Sequence, residues 1–297
     1  MRLAIAMTIF DRPEYLSRAL KSFENLEGLE DHDLYFFAEG PYNNRTAKLC
    51  GDARRIAKDF KHPNKTIIYR DRNFGIAHQV YDSKCLLFRN YDMVLSCVDD
   101  FDVAPYALTA LKTAYLAVES RVDYPFLLDV YSATDLAINS LTPENVSVQS
   151  REEKEKDLDL IVEGCHAAFY LMSKSVWEKI EPYYKEYIDM FVQPHIEKSR
   201  PYGFRTNAAI RVWFAQLLGE ALSPVYPSSQ DACVEVVCKK LGIKKLSTRV
   251  NHIACFGERG EHQTPSSFAG SNYDLTKLDL FNASEVLEAL SHPRIEV

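Results

Sequence analysis

The strongest constraint on this chain is a change of hydrophobic period that recurs through residues 1–105. Short apolar runs of strand composition, "RLAIAMTIF", "DLYFFAEG", "KTIIYRD" and "DMVLSCVDD", alternate with stretches whose apolar positions return every three to four residues. The first such stretch, "RPEYLSRALKSFENL", reads as an amphipathic helix opened by Pro13, with Tyr15, Leu16, Leu20 and Phe23 on one face. "TAKLCGDARRIAKDF" and "IAHQVYDSKCLLFRN" read as the next two helices. Strand and helix in strict alternation predict an α/β fold with a mostly parallel, Rossmann-like central sheet flanked by helices.

A chain of 297 residues, 46% hydrophobic and 12% aromatic, can bury a substantial core. Its 42 acids against 35 Lys and Arg leave a formal charge of −7, which gives no global reason to expect a nucleic-acid or anionic-membrane partner. The apolar run at the N-terminus breaks at Asp11-Arg12-Pro13, too short for a membrane span and without a small-residue cleavage site. It reads as a first strand, and the expectation is a soluble cytoplasmic protein. Seven scattered cysteines, an odd number lying mostly in apolar segments, read as buried free thiols of a reducing compartment.

In open α/β sheets the ligand lies outside the carboxyl ends of the strands. Three of those ends carry polar residues: Thr8 to Asp11, Glu39-Gly40 and Asp99-Asp100, and all three should converge on one crevice. "VLSCVDDFDVAP" sets Asp99, Asp100 and Asp102 directly after a buried strand, where adjacent carboxylates repel each other unless a cation or hydrogen bonds compensate. No G-x-G-x-x-G or G-x-x-x-x-G-K-[ST] element occurs, so the dinucleotide fingerprint and the P-loop are both absent. A nucleotide diphosphate would then be neutralised by a divalent metal on the acids.

The order "AMTIFDRPEYLSRAL", "FFAEG", "NFGIAHQV" and "VDDFDVAPYAL" resembles the nucleotide-sugar half of a GT-A fold glycosyltransferase of the family 2 kind. A nearer likeness is to N-acetylglucosaminyltransferase I type enzymes, in which an acid-Asp-Asp triplet precedes Val-Ala-Pro and a later FG-x-x-G loop closes on the donor. Here that loop is "FGERGEH", residues 256–262. The resemblance implies that residues 1–105 bind the nucleotide-sugar donor, 106–270 bind the acceptor and carry the chemistry, and 271–297 pack on the domain as a tail. It implies Mn2+ or Mg2+ on Asp100, with Asp102 and His262 as further candidate ligands. Asp102 reads equally as a cap for the following helix. Thr8, Phe10, Asp11, Arg12, Glu39, Arg72, Asn73, Asp99 and Arg259 are the expected donor contacts, Glu39 at the base and Arg259 at the diphosphate. Val98 stands where such enzymes often have the first acid of the triplet.

In the second half, "GCHAAFYLMSKSVWEKIEP" reads as a turn, a strand and a helix with Trp177 in the core. Asp231 in "PSSQDACVEVV" is the expected general base of an inverting transfer, with the cap of its own helix as the alternative reading. Glu163 is the second catalytic candidate. The resulting expectation is a metal-dependent transfer from a nucleotide-diphosphate sugar, a UDP-sugar above all, to a glycan or other hydroxyl acceptor. Two alternatives stand beside it. One is transfer onto hydroxymethylated bases of DNA, for which the basic, aromatic stretch "HIEKSRPYGFRTNAAIR" is the local hint; the other is a non-catalytic sugar- or nucleotide-binding module.

Overall fold

A computed structural model describes residues 1–131, 150–164, 169–194, 207–259, 264–269, 278 and 280–297. The expected alternation is present. Strand β1 (Leu3–Ile9) leads to helix α1 (Pro13–Phe23), β2 (Asp33–Ala38), α2 (Asn44–Asp59), β3 (Lys65–Tyr69), α3 (Gly75–Leu87) and β4 (Met93–Val98). Pro13 occupies the first turn of α1, where its missing N–H costs nothing. Asn43 and Thr46 form a reciprocal capping box that starts α2.

The second half is built differently. A short strand β5 (Phe101–Val103) follows the acids, then α4 (Ala107–Glu119), β6 (Phe126–Asp129), α5 (Arg151–Lys156), β7 (Leu160–Glu163), β8 (Phe169–Ser173) and α6 (Lys174–Tyr187). After it come α7 (Ala208–Leu218), α8 (Gln230–Leu241), β9 (Lys244–Thr248), β10 (Ile253–Cys255), α9 (Ala283–Ser291) and β11 (Arg294–Glu296).

One nine-stranded sheet runs through both halves in the order β11-β7-β9-β6-β8-β4-β1-β2-β3. Its β4-β1-β2-β3 portion is wholly parallel. Beyond β4 the sheet is mixed: β8 runs antiparallel to both β4 and β6, and β7 runs antiparallel to β9. A separate pair, β5 with β10, lies just past the end of β4.

Each strand divides its side chains between two helical layers. Leu3, Ile5, Met7 and Ile9 of β1 face the layer of α1, α2, α4 and α9, while Ala4 and Ala6 face α3, α6, α7 and α8. Trp177 is 4% exposed, in the second core as expected. The described cysteines are free thiols: Cys50, Cys97, Cys233 and Cys238 are buried, Cys85 and Cys255 half-buried. No helix among the described residues is long and apolar enough to cross a membrane.

Candidate donor and cation site

The parallel register brings three strand ends to one level. Thr8 of β1 pairs with Phe37 of β2 and with Val98 of β4, and the Glu39 amide donates to the Ile9 carbonyl at 2.9 Å. Phe10, Glu39 and Asp99 therefore leave the sheet side by side, as expected for a crevice at the carboxyl edge. Phe10 lies against Tyr42 at a ring separation of 5.8 Å. Asp11 is half-buried, and that burial raises its pKa against the pull of Arg12 and Arg45.

The positive charge that compensates the acids is Arg12. From the N-terminus of α1 its guanidinium bridges both carboxylates, reaching Asp100 Oδ2 at 2.8 Å through Nη1 and Asp99 Oδ1 through Nη2. Burial works against the Arg12 charge, but the two carboxylates outweigh it and hold the proton more firmly than in water. Asp99 is 2% exposed, and its burial, reinforced by Asp100, raises its pKa while Arg12 opposes the rise.

Strand β10 and its continuation close over this pair. The Phe256 amide donates to the Asp100 carbonyl at 3.0 Å, and a Cβ on Gly257 would lie 2.5 Å from Asp100 Oδ2. Only glycine lets the chain approach the carboxylate this closely. The Arg259 amide donates to the Tyr15 hydroxyl at 3.0 Å, Tyr15 meets Phe256 edge-on, and Arg12 stacks over the Tyr15 ring. Tyr15 and Gly257 are thus part of the site. Tyr15 read from its helical spacing only as a core face.

Glu39 anchors a second pocket. Its Oε1 accepts from the Gly40 amide at 2.9 Å and the Phe74 amide at 3.1 Å, whereas Oε2 is buried with no hydrogen-bond partner among the described residues. Burial pushes the carboxyl up to about 7, against those two bonds and the charge of Arg70. Gly40 passes so near the 70–73 loop that a Cβ would sit 2.5 Å from the Arg72 nitrogen. Asn73 Nδ2 donates to the Gly40 carbonyl at 3.3 Å, and Arg72 stacks over Phe74. Arg54, reaching from α2, ties the Glu39 carbonyl (3.1 Å) to that of Arg70 (2.5 Å). Nothing local in the sequence marks Arg54, because its partners lie on two other elements.

Other expected residues go elsewhere. Asp102 sits in β5 and is held by Arg18 of α1 through Nε at 3.1 and 3.3 Å and through Nη2, so it is neither gathered with Asp100 nor the cap of α4, whose N-cap is Tyr106. Glu163 ends β7, which runs opposite to β9. Its partner row Leu246, Leu128, Leu171 and Leu95 lies well short of Asp99, and Lys244 pairs with it at 3.2 Å. Glu163 is therefore not brought to the aspartates. The Arg259 side chain is exposed beside Glu258 at 3.6 Å, so only its backbone joins the site. His262, and the stretch 195–206 of the basic segment, lie outside the described residues.

Asp231 stands in the first turn of α8, but the cap of that helix is Ser229, which accepts from the Ala232 amide at 3.3 Å. The capping alternative for Asp231 is thereby removed. Helix α8 turns back at Gly242 into β9, which runs in the same sense as β4, so its first turn lies toward the aspartate end of the sheet. Surrounding protein pushes the Asp231 carboxyl up to about 6, opposed by Lys245 and by Gln230 Nε2 at 3.1 Å. The residue stays open to water, whose screening limits how far this crowding acts.

A divalent cation fits one atom here. Asp100 Oδ1 is buried with no hydrogen-bond partner among the described residues, an oxygen ligand of the kind that hard cations take. No group of three or more His, Cys, Asp or Glu able to hold a metal occurs among the described residues. The remaining ligands would come from water and a bound diphosphate, the usual arrangement for Mg2+ with phosphates.

No family model matches the chain, and no curated protein matches it. Among solved structures, a fragment of S. aureus TarS in complex with UDP aligns over 85% of this chain and 60% of its own length, at 9% identity and a TM-score of 0.41. Mannosyltransferase PcManGT from Pyrobaculum calidifontis, in complex with GDP-Man and Mn2+, aligns over 81% of this chain and 74% of its own, at 11% identity and a TM-score of 0.41. A 4-diphosphocytidyl-2C-methyl-D-erythritol synthase from Anaerococcus prevotii covers 80% of this chain, at 9% identity and a TM-score of 0.36. Likeness at this level assigns no residue a role.

Proposed function

We propose that the protein is a divalent-cation-dependent glycosyltransferase of the GT-A kind, taking its sugar from a UDP-sugar. The observation that carries this reading is the buried Oδ1 of Asp100, without a hydrogen-bond partner among the described residues and set beside Asp99 and Arg12 at the carboxyl edge of a parallel sheet. Buried anionic oxygens with open valence call for a cation, and the edge of an α/β sheet is where a nucleotide lies. Glu39 suits the nucleobase: two backbone amides occupy Oε1, leaving one acceptor oxygen for a single N–H such as uracil's imide.

Asp100 Oδ1 would hold Mn2+ or Mg2+, which supplies charge to the departing diphosphate when bound. Asp231 takes the proton of an acceptor hydroxyl as its oxygen bonds to the anomeric carbon and the carbon–oxygen bond to diphosphate breaks. A carboxylate open to water at the first turn of α8 can take that proton and release it again. Ser228 secures the turn before it: its carbonyl accepts from the Tyr187 hydroxyl at 3.0 Å and its Oγ from the Asn207 amide at 2.9 Å.

The test is thermal shift with UDP, with and without Mn2+, on the unmodified protein and on Asp100→Asn. A nucleotide that binds the folded state stabilises it by mass action. Stabilisation by UDP should require Mn2+ and vanish in Asp100→Asn, and UDP-sugar with Mn2+ should release UDP slowly to water. Equal stabilisation with and without Mn2+ would sink the cation; cation-dependent UDP binding without turnover would leave a binding module.

A further inference from the structure

We propose that Arg12 is a built-in placeholder for the divalent cation: its guanidinium satisfies the aspartate pair and must yield Asp100 when the cation arrives with the diphosphate. The inference rests on the cation reading above. It starts from a geometry that this reading alone does not require, the same guanidinium held by both carboxylates rather than pointing at the donor.

Two adjacent carboxylates, one of them 2% exposed, cannot stay ionised without a partner. Arg12 supplies one charge against two, leaving the trio at −1. A divalent ion beside Asp100 would bring the trio to +1, with the guanidinium and the ion sharing a single carboxylate. Like charges at such separations repel by several kcal/mol even at an intermediate dielectric. The guanidinium therefore weakens the hold of this site on the ion alone. A nucleoside diphosphate adds negative charge on the open side and offers the guanidinium the forked phosphate contact it favours. Arg12 has a route outward: its side chain is 28% exposed, and it stacks on Tyr15, the residue that anchors the 256–259 segment. Movement of Arg12 off Asp100 would thus be felt by the loop that lies on the same carboxylate through Gly257.

Cation and nucleotide should accordingly bind with positive coupling, and Arg12 should be its source. The experiment measures Mn2+ binding to the full chain by the loss of the free-ion electron paramagnetic resonance signal, with and without UDP. In the unmodified protein Mn2+ alone should bind weakly and UDP should tighten it. Arg12→Gln should bind Mn2+ alone more tightly, by about tenfold or more, and lose most of the gain from UDP. Should Arg12→Gln fail to fold, Arg12→Lys decides. It keeps the charge on a flexible stem but cannot bridge two carboxylates as a planar fork does, so it should also bind Mn2+ more tightly, by less. Mn2+ affinity unchanged or weakened in the variant that folds would overturn the placeholder. Asp100→Asn separates the two failures: binding that it abolishes but Arg12 variants do not tighten refutes this inference alone, whereas binding that it leaves intact refutes the cation site as well.

Discussion

The two halves of the molecule solve the same packing problem with opposite logic. Through β4, each strand pairs with a neighbour one βα unit away or returns to β1, and every strand end points to the same edge. Beyond β4, strands distant in sequence interleave, β8 between β4 and β6 and β9 between β6 and β7, so successive strand ends point both ways. The first half can therefore gather many contacts on one edge, while in the second the sense of each element decides which end its residues face: the first turn of α8, with Asp231, lies toward the aspartate end, and Glu163 does not. Under the proposed function this contrast becomes a division of labour, binding in the first half and turnover in the second.

The largest expected effect tests that division. Asp231→Asn should cost roughly 10²–10⁴-fold in turnover, the usual range for a positioned base, while leaving UDP affinity in Mn2+ unchanged. Because Ser229 caps the helix, melting temperature should also hold. Full activity in the variant would break the division and strip Asp231 of its role.

Glu39 offers the next effect, confined to the first half. Its carboxyl lies at about 7 when folded, against an ordinary 4.5. The folded state thus keeps a proton that the unfolded chain releases. The resulting stabilisation is complete below about pH 4.5 and is lost as pH rises through 7, an upper bound of roughly 3 kcal/mol. Glu39→Gln removes this dependence. Melting curves of the two proteins between pH 5 and 8 should converge or cross as the unmodified protein falls, and a constant gap would show that burial does not hold the acid protonated. UDP, if it donates an N–H to the ionised form, should lower the pH at which the fall occurs.

What was legible in the sequence follows the same line between the halves. Strands β1 to β4 and helices α1 to α3 fall within a few residues of the hydrophobic periods, because both depend on neighbours in sequence. The strand-end residues Glu39, Asp99 and Asp100 were legible for the same reason: a polar residue ending a buried strand must face the edge. Their partners were not. Arg12 meets the aspartates across 87 and 88 residues, and Arg18 meets Asp102 across 84, pairings that no local pattern encodes. Asp102 entered as a candidate ligand through the resemblance, and its pairing with Arg18 from β5 is another contact that no local pattern marks.

Gly257 tests whether the second half reaches into the first. Alanine there would place a Cβ 2.5 Å from Asp100 Oδ2, and either the loop or the carboxylate must move. Overpacking of this kind costs about 1–3 kcal/mol. Mn2+-dependent UDP binding should weaken by about tenfold, with the melting temperature lowered slightly. Unaltered binding would mean that the 256–259 segment lies on Asp100 without constraining it.

The smallest effect belongs to the Arg18–Asp102 pair. Arg18 is largely exposed and Asp102 about a quarter so, which places the pair in water that screens it. Surface pairs of this kind contribute ~0–1 kcal/mol. Asp102→Asn keeps the side-chain shape and one acceptor oxygen, so the expected loss lies at the low end of that range, fading further in high salt. A metal ligand would behave otherwise: its loss would weaken Mn2+ binding strongly while barely changing stability. Titrating Mn2+ in the presence of UDP against Asp102→Asn and Asp100→Asn together therefore separates two aspartates that stand two positions apart. Equal losses in both would return Asp102 to the cation site and require Arg18 to release it on binding, whereas a loss in Asp100→Asn alone confines the site to the end of β4 and leaves Asp102 as a tether between β5 and α1.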